Sequence, residues 1–354
     1  DVERSRGLGD VYKRQAQHII ETEEKIIPKE KTILNKEKKV TNKLVEAVTT
    51  LNQVAKTIRK KRINSGAIIF DKSEIKFKLD EKNNPKEVVF KTAKSANKLI
   101  EEFMLLANRK VAEKMKKGKE RFVFRVHDQP DEEKLKNLQT VVKRLGYNLD
   151  LKKNNLNDSL NTLLENTFGK NEQNLIDTLM IRSMSKAEYT TKNIGHYGLA
   201  FDNYTHFTSP IRRYPDVLVH RLIEAELKKE KIKTEELETL CNHSTHMEIL
   251  ATKAERDSIK LMQIKYMLDK EGKIFEAVIS GVTARGVFVE VVENKCEGLV
   301  KAKDLPGDFY VHDEKNHQFV GEKTGKKYQL GDKTRVMLIK ADQVKRRLDF
   351  QILS

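Results

Sequence analysis

The chain has 354 residues, room for two or three domains and a sizeable core. Lys and Arg number 69 against 53 Asp and Glu, a formal net charge of +16. That excess points to a polyanionic partner, because basic surfaces gain affinity by displacing counterions from phosphate backbones. A basic membrane-surface protein is the rival, but no amphipathic N-terminal anchor supports it, and apolar clusters such as 103–107 fall far short of the ~20 residues that span a bilayer. No signal peptide is recognisable, and no G-x-x-x-x-G-K-[ST] loop indicates nucleoside triphosphate chemistry. Cys241 and Cys296 lie far apart without C-x-x-C pairing. They are expected to be buried or free thiols of a reducing cytoplasm, not a disulfide or a zinc site.

Residues 1–15 have turn composition and no apolar period, so they are set aside as a leader. Between 16 and 62 the chain is Lys/Glu-rich. Leu44, Val48, Leu51, Val54 and Ile58 recur at steps of three or four, which predicts an amphipathic helix. Period-two alternation follows: Ile68 and Phe70, then Ile75, Phe77 and Leu79, a break at 83–85, and Val88 to Phe90. This predicts antiparallel strands. A helix is expected over 96–117, a buried strand over 122–126, and helices over 131–145, 157–168, 172–187, 216–229 and 234–269. From 273 short apolar runs with Gly and Asp turns replace helical periodicity. The runs 274–279, 286–292, 298–300, 328–330 and 334–340 suggest a five-stranded OB-type barrel of about eighty residues. Its rings (Phe275, Phe288, Phe309, Tyr310, His312) and charges (Lys301, Lys303, Lys345, Arg346, Arg347) suit single-stranded nucleic acid, because every base offers a stacking face. Phe275 and Phe288 equally suit filling the barrel.

The stretch that organises the chain is 196–221, HYGLAFDNYTHFTSPIRRYPDVLVHR. Ser209-Pro210 reads as a helix start, the hydroxyl capping a free N–H and proline tolerating the first helical position. Ile211, Arg212 and Arg213 would then occupy a first turn that favours anions, before Pro215 forces a new helical run from Asp216. Two guanidiniums on a rigid turn suit phosphate, to which the planar fork makes paired hydrogen bonds. They equally suit ion pairs with Asp202 or Asp216. His196, His206 and His220 are ten and fourteen residues apart, which fits no short zinc motif. Core packing or a place beside phosphate is expected of them.

This stretch closely resembles the signature of the ribonuclease II/ribonuclease R family of processive 3′-to-5′ exoribonucleases, with the ribonuclease R branch the better fit. The motif H-x-G-L-x-x-x-Y-x-H-F-T-S-P-I-R-R-Y-P-D-x-x-x-H-R is filled by His196, Gly198, Leu199, Tyr204, His206 to Asp216, His220 and Arg221. The resemblance runs from about residue 16 to the C-terminus, and the terminal barrel resembles the family's RNA-binding barrel. It implies hydrolysis of single-stranded RNA to nucleoside 5′-monophosphates, with magnesium held by a cluster of aspartates. No D-x-x-x-x-x-D-x-D run occurs here, and Asp1 and Asp10 lie in the leader. The magnesium ligands are therefore expected in a missing upstream part, and the chain alone is expected to be inactive.

By the resemblance, Arg212 matches the arginine at the terminal phosphates, with Arg213 the second choice and an equally good ion-pair partner. Phe70 matches an aromatic that stacks on a terminal base, and Glu101 or Glu102 a glutamate facing that nucleotide. Neighbours on a helix point about 100° apart, so only one of the two can face the site; Glu101 is preferred. Glu255 matches a glutamate near the catalytic arginine and equally suits a solvated helix face. His206, Tyr214, Phe288, His312 and Arg346 complete the expected RNA contacts. The expected architecture is α+β. A helix-rich portion of an RNB-type catalytic domain with an antiparallel strand set covers 16–271, and a small all-β OB-fold barrel covers 272–354. The rival reading is a non-catalytic RNA-binding protein that shares the same basic and aromatic features.

Overall fold

The computed structural model describes residues 42–69, 74–118, 121–152, 156–170, 172–230, 234–314, 316 and 318–353. In chain order the elements are α1 (Asn42–Asn64), β1 (Glu74–Leu79), β2 (Pro85–Lys91), α2 (Ser95–Lys116), β3 (Phe124–Val126), α3 (Glu132–Arg144), α4 (Leu156–Thr167), α5 (Gln173–Ser183) and β4 (Glu188–Thr190). Then come α6 (Tyr214–Lys228), α7 (Leu237–Met267), β5 (Ile274–Thr283), β6 (Gly286–Val291), β7 (Glu297–Lys301), β8 (Tyr310–Asp313), β9 (Gln318–Gly321), β10 (Lys327–Gln329), β11 (Lys333–Asp342) and β12 (Arg347–Ile352). The chain forms two compact units, one from 1–72, 92–128 and 186–245, the other from 73–91, 129–185 and 246–354.

In the first unit, α1 forms where periodicity places it, but it buries a different face. Leu44, Leu51 and Val54 stay 43–50% exposed, while Asn52, Ala55 and Arg62 are buried. The reason lies in the facing helix α2, which offers Ala96, Leu99 and the buried Glu102. A small, anionic surface draws in alanine and arginine rather than leucine. Arg62 holds Glu102 through two bonds, Nη2 to Oε1 at 2.5 Å and Nε to Oε2 at 3.3 Å, and Arg59 adds a third at 3.4 Å. A second core gathers Phe122, Phe124, Val126 and Tyr189 against Leu218, Val219 and Leu222 of α6 and Cys241 of α7. Ile68 is buried but not in a strand, and Phe70 lies outside the described residues.

In the second unit β1 and β2 form the expected antiparallel hairpin. Helix α3 is capped by Asp131, whose Oδ1 accepts the Glu133 and Lys134 amides at 3.0 and 3.1 Å, satisfying donors a helix start leaves unpaired. The closed barrel has the order β11-β12-β7-β6-β5, all pairs antiparallel except β12 with β7. A separate sheet, β10-β9-β8, is attached to it in sequence. The expected fourth barrel strand at 328–330 belongs to that side sheet. Its place in the barrel is taken by β12, which the run of charge at 345–347 disguised. Leu348, Phe350 and Ile352 alternate inward along β12 and are buried. Phe275 packs inside the barrel, whereas Phe288 is partly exposed between the fully buried Val287 and Val289 and so faces outward. Leu330 shares one apolar cluster with Val141 of α3 and Leu175 of α5, which seats the barrel on that helical layer.

Cys241 and Cys296 are both buried free thiols, and burial pushes each up to about 12. Among the described residues no helix is long and apolar enough to cross a membrane.

Candidate nucleic-acid interface

The first unit builds its candidate site on the short β3–β4 pair, where Arg125 lies opposite Tyr189. The Arg125 guanidinium sits 4.6 Å above the Tyr189 ring, a cation–π contact that holds it in place. Beyond β3 the backbone runs into the signature stretch. The His127 amide donates to Gly195 O at 3.1 Å, and the Tyr197 amide returns to His127 O at 2.8 Å. His127 Nδ1 accepts the Gly198 amide at 3.0 Å, and His196 Nδ1 accepts that of Leu199 at 3.3 Å. A Cβ at Gly198 would stand 3.0 Å from His127 Nδ1. The glycine of the motif is thus explained by the close approach of an imidazole, not of a phosphate.

A row of rings leads from there toward the arginines. His127 lies 5.0 Å from His196, His196 5.3 Å from Tyr204, and Tyr204 5.6 Å from His206. The Tyr189 hydroxyl is 2.7 Å from His206 Nδ1. Burial drives His206 down to about 2, aided by the charges of Arg213, Arg125 and Arg212. Burial lowers His196 to about 3, with His127 and Arg125 adding to it. Both rings are therefore neutral, and the three arginines that depress His206 make its surroundings positive. Arginine, which cannot shed its proton, is what sustains such a field.

The loop that follows is clamped at each end. Asn108 of α2, almost fully buried, donates to the Tyr204 hydroxyl at 3.1 Å and accepts the Phe207 amide at 3.0 Å. His220 of α6 stacks on Phe207 with centroids 4.3 Å apart, and its Nε2 lies 2.9 Å from Phe207 O. Asp216, wholly buried, accepts the Ser209 amide at 2.7 Å and Arg213 Nη2 at 2.8 Å on the same oxygen. The Arg212 and Arg213 amides both turn back to Ser209 O, at 3.3 and 3.1 Å.

This corrects the expected helix start at Ser209. Ser209 opens a tight turn, and α6 begins at Tyr214 with Pro215 in its first turn. Proline fits there because it has no N–H to leave unpaired, and Asp216 instead secures the amide before the turn. The two arginines are thereby separated in role. Arg213 points inward to Asp216, its side chain 18% exposed. Arg212 is exposed and, among the described residues, makes no ion pair or hydrogen bond through its side chain. Ile211 and Tyr214 beside it are 82% and 45% exposed.

The other expected residues fall as follows. On α2 Glu101 is exposed, whereas Glu102 is committed to Arg59 and Arg62. In the second unit Glu255 is exposed on α7, Phe288 faces outward on β6, and His312 lies 5.2 Å from Phe319 in the side sheet. Arg346 occupies the β11–β12 turn with a φ of 50°. The structure thus places His206, Arg212 and Arg213 on the loop that leads into α6 at Tyr214, while the cavity that Phe288 lines includes neither His312 nor Arg346. Sequence reading missed Arg125, Asn108, His127 and Tyr189, whose only signal was polarity within otherwise apolar segments.

The carboxylate that supports the arginine loop does not fit a magnesium ion: Asp216 is buried and committed to Arg213 and the Ser209 amide. Among the described residues no group of three or more His, Cys, Asp or Glu side chains is placed to hold a metal.

One unit thus presents Arg212 from a clamped loop, and the other carries a small barrel with Phe288 on its outer face. The chain belongs to the RNB family. The RNB domain model matches residues 10–229 and the S1 RNA binding domain model residues 268–353. It is 38% identical to ribonuclease R of Aquifex aeolicus over 88% of this chain and 44% of that protein. It is 34% identical to ribonuclease R of Escherichia coli over 88% of this chain and 40% of that protein. The apo form of Mycoplasma genitalium RNase R superposes with a TM-score of 0.84 at 26% identity, over 90% of this chain and 51% of that one. The same protein in complex with ribose methylated single-stranded RNA superposes equally well. The chain spans less than half the length of these curated relatives.

Proposed function

We propose that these residues form the RNA-gripping and terminal-barrel part of a cytoplasmic 3′-to-5′ exoribonuclease. The whole enzyme converts single-stranded RNA to nucleoside 5′-monophosphates. The observation that carries this reading is an exposed Arg212, without a side-chain partner among the described residues, on a turn made rigid by Asp216, Arg213 and Asn108, inside the RNB match. Hydrolysis from the 3′ end breaks the bond between phosphorus and the 3′ oxygen of the preceding nucleotide as water oxygen bonds to phosphorus. Charge builds on the phosphoryl oxygens, and a preorganised guanidinium opposes it without reorganising. Arg212 supplies that charge, Arg213 holds the turn, and Glu101 stands as a contact to the terminal nucleotide. Tyr214 offers its ring to the last bases. RNB-family nucleases are hydrolases, generally metal-dependent. Magnesium on this reading is held by carboxylates outside the described residues.

The test uses the whole protein with RNA labelled at one end or the other. With magnesium present, label at the 3′ terminus is expected in mononucleotide from the first turnover, while 5′ label stays in a shrinking chain. Binding of both substrates with no mononucleotide released would establish the rival reading, an RNA-binding protein without catalysis. Cleavage at internal positions would contradict both.

A further inference from the structure

The second unit contains a cavity of about 440 Å³ between the barrel and the helical layer of α3 and α5. It lies near the lower bound of small-ligand sites, large enough for one nucleotide. On the barrel side Phe288 of β6 faces it, and Phe288 is one of the outward residues of that strand. Its cross-strand partner is Gly281, so the ring rests on backbone: a Cβ built at Gly281 would meet Phe288 at 3.4–3.5 Å. Strand β5 shifts register between Ile279 and Gly281, and Ser280 at this irregularity lines the cavity. Bulges of this kind re-aim a side chain and cluster beside binding sites. Ser280 donates to Glu297 at 2.7 Å, which keeps that carboxylate in place as an acceptor.

The helical wall supplies the opposite charge. Lys134 of α3 and Arg182 of α5 line the cavity, with Asn137 between apolar neighbours. The Lys134 ammonium has only a loose contact with Asp131, 3.6 Å apart and well exposed, which is worth little in water. Arg182 is exposed and forms no ion pair or hydrogen bond through its side chain among the described residues. Neither His312 nor Arg346 lines this space.

From this arrangement we infer that the cleft between barrel and helices binds a single nucleotide of single-stranded RNA, its base on Phe288 and its phosphate at Lys134 and Arg182. Glu297 and Asn137 face the base edge, where the carboxylate accepts from ring or amino N–H groups and repels phosphate. The inference rests on the RNA-binding reading above and adds a contact that the barrel cannot make by itself, because half the site is helix.

The experiment measures affinity of this chain for a short fluorescent oligouridylate across a salt series. Each phosphate contact to a single strand contributes about 0.7 to the slope of log affinity against log salt. The double variant Lys134→Gln, Arg182→Gln is expected to flatten the slope by about that amount or more. Phe288→Leu is expected to weaken binding about fivefold or more, the loss of one stacked base. Phe168→Leu, at a 66% exposed ring that does not line the cavity, should bind as the parent does. Should Phe288→Leu fail to fold, the rim variant decides alone. Parental affinity and slope in the rim variant, with the parent binding RNA salt-dependently, would overturn the cleft and leave the RNA-binding reading standing. A parent chain that does not bind the oligonucleotide at all would overturn both.

Discussion

Arg213 and Asp216 show how one motif divides labour between adjacent residues. A buried carboxylate with a single guanidinium partner is costly to break, because the survivor stays charged in a poorly solvated place. Asp216→Asn is therefore expected to destabilise the protein by about 3 kcal/mol, the low end for such pairs since Arg213 is 18% exposed. Chemical denaturation checks this, and a change below about 0.5 kcal/mol would show the pair to be dispensable. The histidines give a second prediction. His206 and His196 titrate at about 2 and 3 in the folded chain against 6.5 when unfolded. Below 6.5 the unfolded state alone takes up these protons, so stability falls as pH falls from about 6.5 toward 3. Each ring contributes up to about 1.4 kcal/mol per pH unit in that window. Replacing His206 with Gln should flatten the pH dependence of the melting temperature between pH 6 and 4 by roughly one proton's worth. An unchanged profile would contradict the buried neutral ring.

The elements also show what a linear sequence carries and what it hides. Helices α3 to α7 were legible because apolar periodicity and capping are local. The signature loop was legible because its residues are consecutive. Its supports were not: Asn108, Arg125 with His127, and Tyr189 arrive from three distant segments, and only folding makes them neighbours. The burial of α1 was misleading for a related reason. Its leucines satisfy helical spacing, yet the facing helix α2 presents Glu102, and ionic pairing outweighed apolar pattern. That yields a discriminating pair of variants on consecutive residues. Glu102→Gln should cost about 3–5 kcal/mol by stranding Arg62 and Arg59. Glu101→Gln, at an exposed site, should leave stability within about 0.5 kcal/mol. If melting curves reversed that order, the assignment of Glu102 as the structural partner would fail. In the barrel, β12 was hidden because its inward Leu348, Phe350 and Ile352 follow the basic run 345–347.

At the level of the whole molecule, a net charge of +16 makes affinity for any polyanion strongly salt-dependent but does not itself direct chemistry. What directs it is the contrast between spent and unspent cations. Arg59, Arg62 and Arg213 are consumed by carboxylates, whereas Arg212 is held outward with its charge available. The most direct test compares Arg212→Ala with the parent in the whole enzyme, by single-turnover cleavage and by equilibrium RNA binding. A group that acts on charge developing in the transition state should cost about 100-fold or more in rate and less than about threefold in affinity. Equal losses in rate and affinity would make Arg212 a simple grip on the strand and contradict the account.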